Sequence, residues 1–253
     1  MALPESGAIS LNDVATEFGG TTPHSLSEYY GVDTGVPSSG TISLSDFYGT
    51  SSLVIGQAYQ GGYYAGTIDV NGFGGSGTHH LIVIDDSQGT AAKYRTTNAA
   101  SSSATSLIYG GTATSLNNNS DHPAFQYCAG LTYNGYSDWY LPAVLELAII
   151  YYNLKPGTES NDTGSGTNAY AVPARSSNYT TSDPSQTSVS AFQSGGSQAF
   201  TNSTTSNLNR YISSSEVSGS SNRCWHVRFN TGEEDNDLKD AVRSVRAIRR
   251  VSV

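Results

Sequence analysis

The residues able to do chemistry are few, and one group of them is dense. The stretch "NRCWHVRFN" sets Asn222, Arg223, His226, Arg228 and Asn230 within nine positions. Read as a strand, it buries Trp225, Val227 and Phe229 and turns His226 and Arg228 to the opposite, exposed face. Arginine offers a planar donor fork suited to carboxylates and sugar hydroxyls. Those five polar side chains are therefore the candidate ligand-binding residues. The competing reading is a merely polar surface. Other groupings are poorer. His79-His80 and Asp85-Asp86 lack zinc spacing. Glu233, Glu234, Asp235 and Asp237 form an acidic turn without an EF-hand loop, read as solvated, with calcium as the alternative. The glycine-rich stretch from Gly72 to Gly77 lacks the Lys-Ser/Thr of a phosphate loop and reads as a plain turn. Cys128 and Cys224 match no metal spacing; two buried thiols or a single bridge both fit. There is no Gly-x-Ser-x-Gly elbow. No enzyme activity, cofactor or metal is expected.

The elements that must position these residues come from an unusual composition. Of 253 residues, 36% are hydrophobic and only 13% charged, while 17 are tyrosine. Hydroxyls and amides must solvate much of the surface, with many loops. A net charge of −9 argues against a nucleic-acid partner. The first residues, MALPESGAISL, do not read as a secretory signal, and no apolar run is long enough to insert in a membrane.

Strands are expected in "SLVIGQAYQGGYYAGTIDV" and "HHLIVIDD", and a helix in "DHPAFQYCAGL". A second, mostly apolar helix follows in "NGYSDWYLPAVLELAIIYYNLKPG". Pro142 suits its first turn, Ser137 and Asp138 stand where they can orient or cap it, and Lys155 with Pro156-Gly157 marks its end. Residues 156–209 carry few apolar anchors and read as a long irregular segment. "RYISSSE" and "CWHVRFN" read as paired strands, and "AVRSVRAIRRV" as one strand containing a bulge.

The N-terminal fifty residues repeat a device. "ISLNDVATEFGG", "HSLSEYYG" and "ISLSDFYG" each carry Ser-Leu-x-acid, with Ser10 and Asp13, Ser25 and Glu28, Ser43 and Asp46 at capping-box spacing. Each ends in an aromatic residue and a glycine, giving three short capped helices. Such helices are unstable alone, and their apolar positions look too few for a core. Leu11, Phe18, Leu26, Tyr30, Leu44, Phe47 and Tyr48 are thus candidates for docking on another protein. The alternative is packing on the chain's own domain.

"SGAISLNDV" and "SGTISLSDFYG" resemble N-terminal segments of tailed-phage virion proteins, particularly tail-associated ones. "AYQGGYYAG", "YCAGLTYNGYSDWYLPAVLELAIIYYNL", "YISSSE", "CWHVRF" and "VRSVRAI" together resemble the Lcl-type C-terminal domain, related to C-type-lectin-like folds, from about Leu53 to Val251. The resemblance implies an α+β fold: a C-type-lectin-like domain with two helices, small antiparallel sheets and long loops, preceded by a short helical docking segment. The domains would be 1–52 and 53–253. It also implies that Trp139 and Leu141 lock the second helix into the core, that the terminal strand pairs with the first strand near Tyr63 to Val70, and that the long polar loop is the variable one. The Glu-Pro-Asn and Trp-Asn-Asp motifs of calcium-dependent sugar lectins are absent, and the cysteines do not match formylglycine-generating relatives. The expected function is a phage tail or baseplate adhesin on the virion, a homo-oligomer. Its docking segment would bind other virion proteins, and its lectin-like domain a host glycan or outer-membrane protein, with tyrosine stacking on sugar rings. The alternative is a purely structural decoration or head-fibre component.

Overall fold

A computed structural model describes residues 3–33, 35–50, 52–71 and 77–253, so the turn expected from Gly72 lies outside the described residues up to Ser76. The chain forms two compact units, one running to Val54 and the other from Ile55 to Ser252.

In the N-terminal unit the first repeat copy forms helix α1 (Leu11–Phe18), and the other two form single 3-10 turns at Leu26–Tyr29 and Leu44–Phe47. The carboxylate half of the capping box is present in all three copies: the backbone N–H groups of Ser10, Ser25 and Ser43 donate to Asp13, Glu28 and Asp46 at 2.8, 3.1 and 2.7 Å. Contrary to the expectation that these apolar positions cannot make a core, Leu3, Val14, Tyr29, Val36 and Phe47 are buried together. Leu11, Phe18, Leu26 and Leu44 are half-buried against them. The core closes because aromatic rings fill space that short aliphatics could not: Phe47 meets Phe18 and Tyr29 at centroid distances of 6.2 and 6.1 Å. Tyrosine hydroxyls then tie the copies to one another. Tyr29 donates to Gly19 O, Tyr30 to Gly40 O and Tyr48 to Gly7 O.

The larger unit contains β1 (Ala58–Tyr59), β2 (Gly62–Asp69), β3 (Thr78–Val83), β4 (Thr90–Lys93), α2 (Gly111–Leu116), α3 (Pro123–Ala129), α4 (Val144–Leu154), β5 (Ala171–Val172), β6 (Arg210–Val217), β7 (Ser220–Arg228), β8 (Glu234–Leu238), β9 (Val242–Val245) and β10 (Ile248–Ser252). One sheet has the order β1-β2-β3-β10, with β5 added beside β2; the other has the order β4-β9-β6-β7-β8. Pairings are antiparallel except β6 with β9. The fold is α+β, as expected.

Helix α4 packs on β2 of the first sheet and on β6 and β7 of the second. Its residues Leu147, Ile150, Tyr151 and Leu154 share a core with Leu81, Val83, Val227 and Phe229. A second core lies on the other faces, where Ile82 and Ile84 meet Tyr94, Phe125, Cys128, Trp139, Leu141, Ile212 and Cys224. Both faces of β3 are covered, which is why "LIVI" runs apolar without alternation. Both cysteines are free and buried.

Several local expectations are corrected. Pro142 precedes α4 rather than opening it. The N-cap is Ala143, and the cap comes from Glu146, which accepts the N–H of Ala143 at 2.7 Å. The terminal apolar stretch is two strands in two sheets, broken at Arg246, whose buried guanidinium bonds Ile84 O, Gln198 O and Gln198 Oε1. β10 pairs with β3, not with β2. Residues 156–209 are largely irregular, yet Ala171, Tyr179, Phe192 and Phe200 anchor them in the core. Among the described residues no helix is long and apolar enough to cross a membrane.

Candidate binding site

The five residues of the arginine-rich strand do not form one open face. Arg228 pairs with Glu233 at 2.9 Å and Asp235 at 3.1 Å. Arg223 donates to Asn236 Oδ1 at 2.7 Å, and Asn230 accepts from Asn209 at 3.0 Å. Asn222 is exposed. His226 is the correction: it is 1% exposed, not turned outward. β7 is an interior strand with neighbours β6 and β8, and Cys224 on the His226 face enters the second core while Val227 and Phe229 enter the first. Trp225 is only half-buried. Burial drives His226 down to about 4, against the attraction of Asp237 and Asp235. The acidic residues meant to form a turn are instead mostly strand β8. Asp237 is held by Arg210 and Arg243 at 3.4 and 2.7 Å. Arginines from neighbouring strands thus occupy this surface's carboxylates.

A better-formed concavity lies where two hairpin tips meet. β1 and β2 are joined by Gln60-Gly61, with Tyr59 opposite Gly62. Tyr133 pairs with Tyr136 across Asn134-Gly135. In both turns the central residues have positive φ, 48° and 85° in the first and 48° and 83° in the second. That is the signature of a type I′ connection, whose twist matches that of the strands it joins. The tips are latched: Asn134 donates to Gly61 O at 3.2 Å, and the Tyr136 hydroxyl donates to Gln60 Oε1 at 2.7 Å. A Cβ on Gly61 would overlap the Tyr136 ring, so the approach requires glycine there. Between them is a cavity of about 320 Å³ lined by Ala58, Tyr59, Gln60, Gly61, Gly62, Tyr63, Asp85, Tyr133 and Asn134.

The walls are braced from behind. Tyr63 meets Phe192 edge-on at 5.5 Å, and Tyr59 meets His80 at 6.2 Å. Asp85 accepts from Ser87 N at 3.0 Å, Gln198 Nε2 at 2.7 Å and the Tyr63 hydroxyl at 3.3 Å. Burial alone would raise its pKa; those bonds outweigh it and hold the carboxyl below its ordinary range. Arg249 of β10 fastens both tips. It donates to Gln60 O at 3.0 Å, makes a bidentate pair with Asp138 at 2.7 and 2.9 Å, and lies 3.9 Å from the Tyr136 ring centroid.

The "GYSDWYLP" run is therefore a fastening device. Asp138 takes Arg249 rather than capping α4. Trp139, 2% exposed, donates its indole N–H to Tyr136 O at 3.1 Å. Tyr140 pairs with Ile248 of β10, and its hydroxyl reaches buried Glu146, which also accepts Arg250 at 2.8 Å. None of the candidate ligand-binding residues named from the sequence lines this pocket. Its signal was present, since Asn-Gly flanked by tyrosines is a strong hairpin mark. The meeting of two such turns is a tertiary fact. Among the described residues no three His, Cys, Asp or Glu side chains converge as metal ligands.

The fold and the pocket define an α+β domain with a shallow cavity of mixed aromatic and polar lining between two hairpin tips. Residues 97–249 match the family model described as the Lcl C-terminal domain, and the chain belongs to that family. Membership indicates a lectin-like or adhesin-type domain. The match takes in the second hairpin and Arg249 but begins after the β1–β2 hairpin and Asp85. No curated protein and no solved structure matches the chain.

Proposed function

We propose that this chain is a particle-borne adhesin of a tailed phage, whose larger unit binds a receptor on the host surface. The observation that carries the reading is the braced cavity between the hairpin tips. It gathers three tyrosines, two side-chain amides and one carboxylate on a rigid scaffold. Stiff aromatic surface with adaptable hydrogen-bonding groups is the mixture that recognition surfaces use, and bracing lowers the entropy lost on binding. Membership in the Lcl C-terminal domain family is consistent with an adhesin-type binding role.

The N-terminal unit is the proposed attachment to tail or baseplate proteins. Phe47 belongs to its interior, so docking falls to the exposed ring of Tyr48 and the half-buried Tyr30, Leu11, Phe18, Leu26 and Leu44. That unit carries no lysine or arginine, so it suits a partner surface with basic or neutral character. Labelled full-length protein should bind host cells and lower phage adsorption when added in excess. A purely structural component would be found in purified particles yet neither label cells nor compete, and that result would reject the adhesin reading.

A further inference from the structure

We propose that the cavity between the two hairpin tips is a subsite for one non-anionic sugar residue, with Tyr59 and Tyr133 as ring-contacting walls and Asp85 as hydroxyl acceptor. This deepens the receptor-binding reading and rests on it.

Size is the first argument. At about 320 Å³ the cavity is at the low end of small-molecule sites, which run roughly 300–1,000 Å³. It suits a monosaccharide unit of a longer chain. The lining chemistry is the second. Sugar rings combine an apolar C–H face with a rim of hydroxyls. Tyr59, Tyr63 and Tyr133 supply flat apolar faces, and the Gln60 and Asn134 amides with Asp85 supply donors and acceptors around them.

Charge is the third argument and decides the class. The lining holds one carboxylate and no basic side chain. The nearest guanidinium groups are already engaged: Arg249 with Asp138, and Arg246 with Asp86 at 3.3 Å and with Gln198. A sulfate or uronate brought here would face Asp85 without a free cation, in a chain of net charge −9. The carboxylate is also set for its role. Donors from Ser87, Gln198 and Tyr63 fix its orientation, so that its oxygens are held in place where a sugar hydroxyl would meet them.

The test uses the intact chain and saturation-transfer NMR with titration. Neutral probes are maltotriose, N-acetyllactosamine, mannotriose and chitotriose; anionic probes are a heparin hexasaccharide and a polygalacturonate oligomer. At least one neutral probe should bind and the anionic ones should not. Asp85→Asn and Tyr59→Ala should each weaken the neutral probe on the order of tenfold, as loss of a hydrogen bond to a charged group or of a ring contact predicts. Arg223→Ala with Arg228→Ala should leave it unchanged. Thermal unfolding of each variant separates loss of the site from loss of the fold, and Tyr133→Phe, which keeps the ring, should retain binding. Binding of anionic probes alone, or neutral binding indifferent to Asp85 and Tyr59, overturns the subsite. Absence of binding to every neutral probe also overturns it. Cell labelling by the full chain distinguishes these failures from failure of the receptor reading, because a protein that labels cells without binding these sugars is still an adhesin.

Discussion

His226 and Glu234 set opposite slopes in stability against pH. His226 is driven down to about 4 by burial, so between its unfolded value of about 6.5 and 4 the unfolded chain binds the extra proton. Stability from this group is complete above about 6.5 and is lost as pH falls toward 4. Glu234 is raised to about 7, chiefly by burial, against the bond from Gly166 N and the charge of Arg175. The folded state then holds the proton that the unfolded state releases from about pH 4.5 upward, so its contribution is lost as pH rises from about 4.5 to 7. Each effect is on the order of 3 kcal/mol. Between about pH 4.5 and 6.5 the two slopes oppose each other, so urea unfolding across pH 4–7.5 should find the wild type nearly flat there, His226→Gln losing stability as pH rises and Glu234→Gln gaining it. If the wild-type profile moves with neither substitution, the two burials do not govern it. At Trp139 the expectation is larger. Trp139→Ala should cost on the order of 3–5 kcal/mol through lost burial and the cavity left behind, and a cost below about 1 kcal/mol would mean the indole is not in the core.

At the scale of elements, Gly61 carries the hairpin argument. Gly61→Ala must displace Tyr136 and strain a positive φ. It should lower stability by about 1–3 kcal/mol, with chemical-shift changes at Asn134 and Gln60. A silent substitution would show that the tips are not latched. The sequence made the elements legible where they answer to local rules. Ser10 with Asp13 marks a cap, Pro123 opens α3, and the alternation around Val227 marks a strand. It failed where an element's two faces meet different neighbours. His226 could not be known as buried without knowing that β7 is flanked on both sides. The break at Arg246 looked like a bulge because period alone does not say that a strand has changed sheets. Asp138 was readable as a helix-start residue; its partner Arg249 lies 111 residues away, beyond any local signal. The pocket was invisible for the same reason.

At the scale of the whole molecule, the two units make separable expectations. A chain lacking residues 1–54 should keep the unfolding transition of the larger unit but be absent from purified particles, by circular dichroism and by immunoblot. Normal incorporation would refute the attachment role. The original strand surface now serves as a control: Arg223→Ala with Arg228→Ala should leave folding intact, whereas adding His226→Ala opens a hole in the interior and should lower the melting point. The Arg249 clasp also has a temporal consequence. Each hairpin closes locally, but the atoms that hold them come together across 189 residues from Gln60 and 111 from Asp138. Closing such loops is entropically slow, and contacts of that separation form late on a folding route. The β6–β7 hairpin, whose pairing is local, should acquire amide protection first. In pulse-labelled hydrogen exchange the amides of Tyr140 and Ile248, which bond each other beside the clasp, should be among the last protected, so that a newly folded molecule has its scaffold before it has its grip.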